Sequence, residues 1–305
     1  MKRVIEVKNL VKKYSKTTAV DSISFEVFQG EVFGLLGENG AGKSTTLEII
    51  EGLRRPTSGE VKVLGFDAQS QKKQIKKKIG VQLQSSAYYN FLTLKEILNL
   101  FCTFYESKTE PMDLLRMVNL EEKANAYVNS LSGGQKQRFS IVASLVNNPE
   151  IVFLDEPTTG LDPLARRNLW NLISQIKAEG KTVVLTTHYM EEAEALCDRI
   201  AIMEKGKILA MDETHKLIEM SENPFSISFV LGSKIDKDAF SKVVSCGEIE
   251  NIFGKKNHFI LRIKDRACLN KALPLVMKLN PDSIQVGQAT LEDLFIDLTG
   301  KVIGE

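Results

Sequence analysis

The chain of 305 residues has little cysteine, no long apolar run and almost no net charge. Its four cysteines are scattered and contain no Cys-x-x-Cys pair, which argues against disulfides and zinc and is typical of a reducing cytosol. No stretch reaches about 18 apolar residues, so we expect no membrane-spanning segment. The N-terminal residues lack the apolar core of a signal peptide. The net charge of +1 excludes a global field that would recruit nucleic acid or acidic lipid.

Lysine is nevertheless concentrated between residues 72 and 78, where five of the seven residues are lysines. Such a run is usually the solvated face of a helix, and contact with a negatively charged partner is the alternative. The apolar share of 43% and the charged share of 26% are ordinary for a folded chain.

The most informative stretch is Gly37-Glu38-Asn39-Gly40-Ala41-Gly42-Lys43-Ser44, which fits the phosphate-binding pattern G-x-x-x-x-G-K-[ST] and is followed by Thr45. A short apolar strand is predicted before it, at residues 32–36, and a helix after it, at residues 44–52. Glycines let the backbone fold around anionic oxygens, and the start of the helix attracts them. We therefore expect Lys43 to reach the β- and γ-phosphates of a nucleotide and Ser44 to ligate Mg²⁺.

Two carboxylates follow a second apolar run, residues 151–154. The run is typical of a buried parallel strand, whose carboxyl end is where ligands of such sheets bind. Asp155 is then placed to hold Mg²⁺, and Glu156 to orient or deprotonate the attacking water. The alternative is a pair of solvated loop acids.

Leu131-Ser132-Gly133-Gly134-Gln135-Lys136-Gln137-Arg138 is the third chemical feature. Ser132 is a good helix N-cap, and the two glycines allow an anion to approach the helix start closely. The stretch therefore predicts a second phosphate-binding helix end without a lysine, and a plain helix start is the alternative.

The pattern along the chain predicts an α/β fold with a mainly parallel sheet. Strand-like runs at residues 4–7, 23–27 and 59–65 suggest an antiparallel edge subdomain, with Tyr14 in a turn. Apolar residues at helical spacing predict a helical insertion over residues 86–145. The only tryptophan, Trp170, is expected in the core, on a helix over residues 162–178. Further strands and helices are predicted at residues 182–186, 191–197 and 200–209.

A linker is predicted at residues 221–224, which divides the chain into a domain of residues 1–220 and a small α+β domain of residues 225–305. In the second domain the order of elements is β-α-β-β-α-β, a split βαβ sandwich, and a last helix follows at residues 291–298.

Taken together, residues 1 to 215 resemble the nucleotide-binding subunit of an ATP-binding cassette (ABC) transporter. Several motifs carry the resemblance in order: the Walker A loop (37–44), the LSGGQ signature (131–135), the Walker B pair (Asp155 and Glu156), the D-loop (160–162, with Asp162) and the switch histidine (His188). Gln84 matches the Q-loop glutamine, with Gln82 as a nearby competitor, and Tyr14 falls where the family places an aromatic residue that stacks on adenine.

The resemblance implies a P-loop NTPase core that hydrolyses ATP with Mg²⁺. Ser132, Gly133, Gly134 and Gln135 would cap the ATP held by a second copy of the chain, so that two nucleotides are buried in a head-to-tail homodimer. His188 would donate a hydrogen bond to the γ-phosphate or to Glu156. Gln84 would contact Mg²⁺ or water and sense movement of the helical insertion. If the family resemblance is set aside, His188 is more simply interpreted as a structural histidine and Tyr14 as an ordinary turn tyrosine.

The family also implies an integral membrane permease as partner, which would hold the chain at the inner face of the cell membrane. The aromatic stretch at residues 85–92 would then form the groove for a helix of the permease, or else the core of the insertion. Residues 289–300 resemble the end of drug-resistance-type exporter ATPases, which favours export over import and suggests a C-terminal module that regulates or dimerises. A regulatory or sensing ATPase is the alternative. Chromosome and translation factors are disfavoured, because long coiled coils and a second cassette are absent.

Overall fold

A computed structural model describes residues 2–83, 88–232, 237–251 and 257–300 of the chain. The chain divides into two compact units, Met1–Asp212 and Glu213–Glu305. Among the residues described, no helix combines the length and the apolarity that crossing a membrane requires.

The described residues contain strands and helices in alternation. The strands are β1 (Arg3–Tyr14), β2 (Thr17–Phe28), β3 (Val32–Leu36), β4 (Ser58–Val63), β5 (Phe66–Asp67), β6 (Ile79–Gln82), β7 (Ile151–Asp155), β8 (Thr182–Thr187), β9 (Arg199–Glu204), β10 (Lys207–Glu213), β11 (Phe225–Val230), β12 (Glu248–Asn251), β13 (His258–Ile263) and β14 (Ser283–Gln288). The helices are α1 (Lys43–Ile50), α2 (Lys72–Lys76), α3 (Leu94–Tyr105), α4 (Pro111–Met117), α5 (Gly133–Ser144), α6 (Pro163–Ala178), α7 (Met190–Leu196), α8 (Thr214–Glu219), α9 (Lys237–Val244), α10 (Arg266–Lys278) and α11 (Leu291–Thr299). Two single 3₁₀ turns, Glu121–Lys123 and Val128–Ser130, precede α5.

The central sheet has the order β10-β9-β3-β8-β7-β6. Strands β9, β3, β8, β7 and β6 pair in parallel. Every residue of β3, β7 and β8 is buried, as expected for continuous apolar runs covered on both faces. The α/β prediction is confirmed, and the carboxyl ends of these three adjacent strands meet at one edge. The edge strand β6 was not predicted, because four residues containing a glycine give a weak pattern.

The antiparallel edge subdomain is a sheet with the order β2-β1-β4-β5. Strands β1 and β2 have 12 residues each and are longer than predicted, because register shifts let polar stretches stay paired. Tyr14 ends β1 opposite Thr17 and does not lie in the turn. Apolar side chains of this sheet share a core with the central sheet, where the rings of Phe25 and Phe33 stack 5.3 Å apart.

The insertion between β6 and β7 is helical, as the sequence predicts, and contains α3, α4 and α5. Helix α3 begins with a capping box, in which Thr93 and Glu96 each bond the other's backbone N–H. The lysine-rich run forms α2, and Lys73, Lys76 and Lys77 are exposed, in agreement with a solvated face. Trp170 on α6 is only half-buried, so its placement in the core was wrong: it lines a groove between α6 and α7.

The C-terminal unit follows the predicted order β-α-β-β-α-β and then α11. Its antiparallel sheet has the order β12-β13-β11-β14, and its core includes Ile227, Phe229 and Leu261 on the sheet and Val276 on α10. Helix α8 was not predicted. Ser221, in the segment read as a linker, is buried and donates a hydrogen bond to Asp297 Oδ2 at 2.6 Å, so it packs within this unit.

Candidate nucleotide-binding site

The loop between β3 and α1 needs glycine for two different reasons. A Cβ on Gly37 would lie 2.2 Å from the carbonyl oxygen of Met203, so the close approach of β9 excludes a side chain. Gly42 has φ +102°, and a Cβ there would lie 2.3 Å from the carbonyl oxygen of Ala19. The loop is therefore held tightly at both ends, and the backbone N–H groups at the start of α1 remain available to an anion.

Lys43 is buried beneath this loop with 4% of its surface exposed. Its ammonium donates hydrogen bonds to the carbonyl oxygens of Gly37 at 2.7 Å and Glu38 at 3.0 Å, and lies 3.6 Å from Glu156 Oε1. Burial lowers the pKa of Lys43, and the nearby Glu156 carboxylate opposes that change only in part. Neutral carbonyls thus hold a desolvated ammonium, which phosphate oxygens would satisfy better because they carry charge.

Ser44 and Asp155 come together although 111 residues separate them. The Ser44 hydroxyl donates to Asp155 Oδ1 at 3.0 Å, and the Thr186 hydroxyl donates to the same oxygen. A hydroxyl beside one carboxylate fits Mg²⁺, which prefers oxygen ligands and commonly uses one or two carboxylates together with substrate phosphates. Among the described residues no group of three His, Cys, Asp or Glu side chains could hold a metal alone. Phosphate oxygens would have to complete the shell.

Glu156 begins the loop after β7 in a left-handed conformation, with φ +48°. Such backbone costs about 1–3 kcal/mol for a residue other than glycine and persists only where the surroundings enforce it. Its N–H donates to the Thr186 hydroxyl at 2.9 Å, and its Oε2 accepts from Thr159 at 3.1 Å. Its Oε1 lies 3.5 Å from His188 Nδ1, at the end of the neighbouring strand β8. The sheet thus brings Lys43, Glu156 and His188 together.

The predicted second phosphate-binding helix end lies in a different cleft. Ser132 caps α5 and forms a capping box with Gln135, which also accepts a hydrogen bond from Lys123 at 3.1 Å. The cleft has a volume of 340 Å³ and runs from Ser132 to the loop 160–162. Asp162 lies there too, and its carboxylate caps α6 by accepting from Ala165 N at 2.8 Å. This cleft shares no lining residue with the one at the phosphate loop, which Asn39, Gly40, Lys43, Ser44, Thr45 and Glu156 line together with Ala19 and Gly42.

The remaining candidates are less closely tied to the phosphate loop. Tyr14 is 37% exposed, and its ring centroid lies 4.9 Å from Lys12 Nζ and 5.4 Å from the Arg54 guanidinium. Both cations lie over the ring, so a base that stacked on Tyr14 would have to share the ring with them or displace them. Gln84 lies outside the described residues. Gln82 is 1% exposed and donates to the carbonyl oxygen of Leu83, so it does not reach the cleft surface.

Sequence reasoning missed two groups at this site. Thr186 bonds both Asp155 and the Glu156 backbone, but threonine is an ordinary strand residue and gave no signal. Glu51, which ends α1, is 2% exposed, and neither of its carboxyl oxygens has a hydrogen-bond partner in the described part of the chain. Burial, with smaller contributions from Asp155 and Glu48, raises the pKa of Glu51 to about 8. In the sequence, nothing distinguishes Glu51 from an exposed glutamate of a helix.

Comparison with known proteins agrees with this geometry. Residues 20–159 match the family model described as "ABC transporter". A Nod factor export ATP-binding protein I of Rhizobium etli is 34% identical over 97% of this chain and 93% of its own length. The protein of the same name from Burkholderia orbicola is 40% identical over 70% of this chain and 72% of its own length.

Solved structures are similar to about 70% of the chain. The ATP-binding subunit of an ABC transporter covers 70% of this chain and 91% of its own, with 31% identity and a TM-score of 0.64. A dimeric ATP-binding cassette in a post-hydrolysis state, bound to ADP and phosphate, covers 68% of this chain and 98% of its own, with 30% identity and a TM-score of 0.62.

Proposed function

Because the chain belongs to the ABC transporter family, as an ATP-binding subunit, we propose that it hydrolyses ATP as a head-to-tail homodimer and thereby powers export through a membrane permease. The observation that carries this proposal is the separation of the two phosphate-binding features. Each chain has one phosphate loop and one signature helix end, in clefts without a common lining residue. A second copy, turned head to tail, would bring each signature onto the other chain's loop. The similarity to a dimeric cassette bound to ADP and phosphate supports a dimer of this chain.

Within the closed site, side chains of this protein would position the nucleotide and deprotonate the attacking water. Lys43 would exchange its bonds to the Gly37 and Glu38 carbonyls for phosphate oxygens. Glu156, held by Thr186 and Thr159, would accept the proton of the attacking water, and His188 would donate to the γ-phosphate or to Glu156. Ser44, Asp155 and Gln84 would hold Mg²⁺, which neutralises charge on the β- and γ-phosphates when bound.

The proposed permease contact uses the aromatic stretch before α3. Tyr88 is partly buried, and its ring lies 5.2 Å from that of Phe139 and 6.4 Å from that of Phe101. Tyr89 and Phe91 are 61% and 92% exposed, respectively. Tyr88 therefore fits the alternative in which this stretch packs into the helical insertion. The exposed pair, Tyr89 and Phe91, would contact a helix of the permease. Residues 85–87 lie outside the described part. The chain would act at the cytoplasmic face of the membrane, with residues 225–305 as a regulatory or dimerising domain.

Glu156→Gln tests the proposed ATPase. The amide keeps the size and burial of the side chain but cannot accept the proton of water, so we expect turnover to fall on the order of 10²- to 10⁴-fold while ATP still binds. ATP and Mg²⁺ should then convert the variant into a stable dimer, measured by light scattering after gel filtration. Glu31→Gln is the matched control, because Glu31 is also buried and paired, with Arg199 at 3.1 Å. Turnover by Glu156→Gln at the wild-type rate would show that Glu156 does not accept the proton of the attacking water.

Ser132→Arg in the Glu156→Gln background tests the head-to-tail arrangement. The bulky cation fills the signature cleft and should prevent dimerisation, while the monomer binds ATP as before, since that cleft is separate from the loop. Dimerisation at the parental ATP concentration would contradict the arrangement. The export proposal is tested separately, by purification with a multi-span membrane protein and by ATP-dependent transport in vesicles that contain both.

A further inference from the structure

A group of buried polar side chains lies behind the proposed catalytic residues. Glu192 on α7 is 0% exposed, and neither of its carboxyl oxygens has a hydrogen-bond partner among the residues described. The same holds within that part of the chain for three more buried atoms, namely Thr158 Oγ1, Trp170 Nε1 and Arg166 Nε. Buried polar atoms are nearly always satisfied in folded proteins, so several orphans in one place require an explanation.

These side chains surround the same carboxyl group. Burial raises the pKa of Glu192, and the polar side chains of Thr187, Thr158 and Trp170, with the Arg166 guanidinium, counteract it only in part. They are therefore close enough to hydrogen-bond Glu192, although none of these bonds is well formed in the structure. Trp170 and Arg166 also line a groove of 570 Å³ between α6 and α7, whereas Glu192 itself is 0% exposed and does not line it. One buried water molecule, or a small shift of the segments that carry Thr158 and Thr187, would complete the hydrogen bonds to Glu192.

The two threonines belong to the two loops of the site. Thr187 immediately precedes His188, and its carbonyl oxygen accepts from the N–H of Gly37 in the phosphate loop at 3.3 Å. Thr158 follows Glu156 by two residues and leads into the loop 160–162 that lines the signature cleft. Glu192 thus lies between the segment that bears the switch histidine and the segment that would face the second copy.

We propose that Glu192 is a positioning residue that couples the loop 157–162 to His188, through hydrogen bonds with Thr158 and Thr187 that form directly or through one buried water when the ATP site closes. Packing alone does not account for this residue, because an apolar side chain would fill the space without the cost of desolvating a carboxyl group. A carboxyl group has two oxygens, so it can accept a hydrogen bond from each of the two threonine hydroxyls. The inference rests on the proposed ATPase.

The test compares Glu192→Leu, which removes the polar group, with Glu192→Gln, which keeps a donor and an acceptor. Glu194→Ala is the control, because Glu194 lies on the exposed face of the same helix. We expect Glu192→Leu to lower kcat on the order of 10- to 100-fold, as small misplacements do, with KM for ATP within about twofold because Glu192 does not line the nucleotide cleft. Glu192→Gln should restore most of the lost kcat.

Trp170 supplies a second readout, because it is the only tryptophan in the chain and its ring nitrogen belongs to the group. In the Glu156→Gln background, ATP with Mg²⁺ should change its fluorescence, and Glu192→Leu should abolish that change. Thr158→Val should lower kcat in the wild type and have little further effect in Glu192→Leu, and it tests the coupling even if Glu192→Leu does not fold.

The outcomes separate the two proposals. If the wild type and Glu194→Ala hydrolyse ATP and both Glu192→Leu and Thr158→Val match them, the coupling is refuted and the ATPase stands. Equal losses of kcat in Glu192→Leu and Glu192→Gln would also refute it. If the wild type itself shows no Mg²⁺-dependent hydrolysis, the proposed function fails first.

Discussion

Replacing Glu51 by glutamine should stabilise the protein, and the gain should grow with pH. In the folded chain Glu51 is 2% exposed and its pKa is raised to about 8 from 4.5. The folded state therefore holds a proton that the unfolded state releases, and unfolding becomes easier as pH rises. Below pH 4.5 Glu51 is protonated in both states, so its ionisation costs no stability. The free energy of unfolding falls as the pH rises from 4.5 towards 8.

The size of the effect follows from the pKa difference. One pKa unit corresponds to about 1.4 kcal/mol, so full ionisation of Glu51 opposes folding by on the order of 5 kcal/mol. Over the practical range from pH 5 to pH 8, the stability advantage of Glu51→Gln over the wild type should grow by about 3 kcal/mol. Glutamine has the shape of the protonated acid and cannot ionise, so packing differs little between the two proteins.

Urea unfolding monitored through Trp170 measures this advantage, because Trp170 and Glu51 lie in the same compact unit. Glu60→Gln, which removes an exposed glutamate of β4, is the control and should show no comparable pH trend. An advantage of Glu51→Gln that is constant from pH 5 to pH 8 would refute the reasoning, because it would mean that Glu51 ionises as readily in the folded chain as in the unfolded one.

Three further substitutions test the phosphate loop and the adenine position. Lys43→Ala removes the buried ammonium and should reduce phosphate release on the order of 10²-fold or more; normal release would exclude Lys43 from the site. Tyr14→Ala should weaken ATP and GTP binding alike by about 1–3 kcal/mol in calorimetry, since stacking does not select the base; unchanged affinity would make Tyr14 an ordinary strand residue. Gly42→Ala should lower the melting temperature more than Gly40→Ala, because only at Gly42 does a Cβ meet backbone, 2.3 Å from Ala19 O; equal shifts would contradict that contact.

The sequence predicted the parts of the site that depend on contiguous residues. The phosphate loop and the carboxylates after β7 follow short apolar strands, and adjacent parallel strands bring their ends together wherever the helices lie. The sequence did not predict that these strands are neighbours, and the structure shows that Lys43, Asp155, Glu156 and His188 lie at one edge. Their individual roles stay predictions, and Gln84 lies outside the residues described.

What the sequence could not predict depends on packing between distant segments. Glu51 and Glu192 look like helix glutamates of the exposed kind, and only the folded chain shows that they are buried. The short elements β6 and α8 have too few residues for a periodic pattern. Tyr14 was placed in a turn because β1 contains lysines and asparagine, yet its pairing with β2 continues to the hairpin.

The two separate clefts have a genetic consequence. If each ATP binds between the phosphate loop of one chain and the signature of another, a chain with a defective loop also impairs the normal chain with which it dimerises. A cell that makes equal amounts of normal and Lys43→Ala chains would, by random pairing, form about half of its dimers from one chain of each kind, and each of these mixed dimers would contain one inactive nucleotide site. Loss of the loop would then be dominant, whereas an allele that abolishes synthesis of the chain would be recessive.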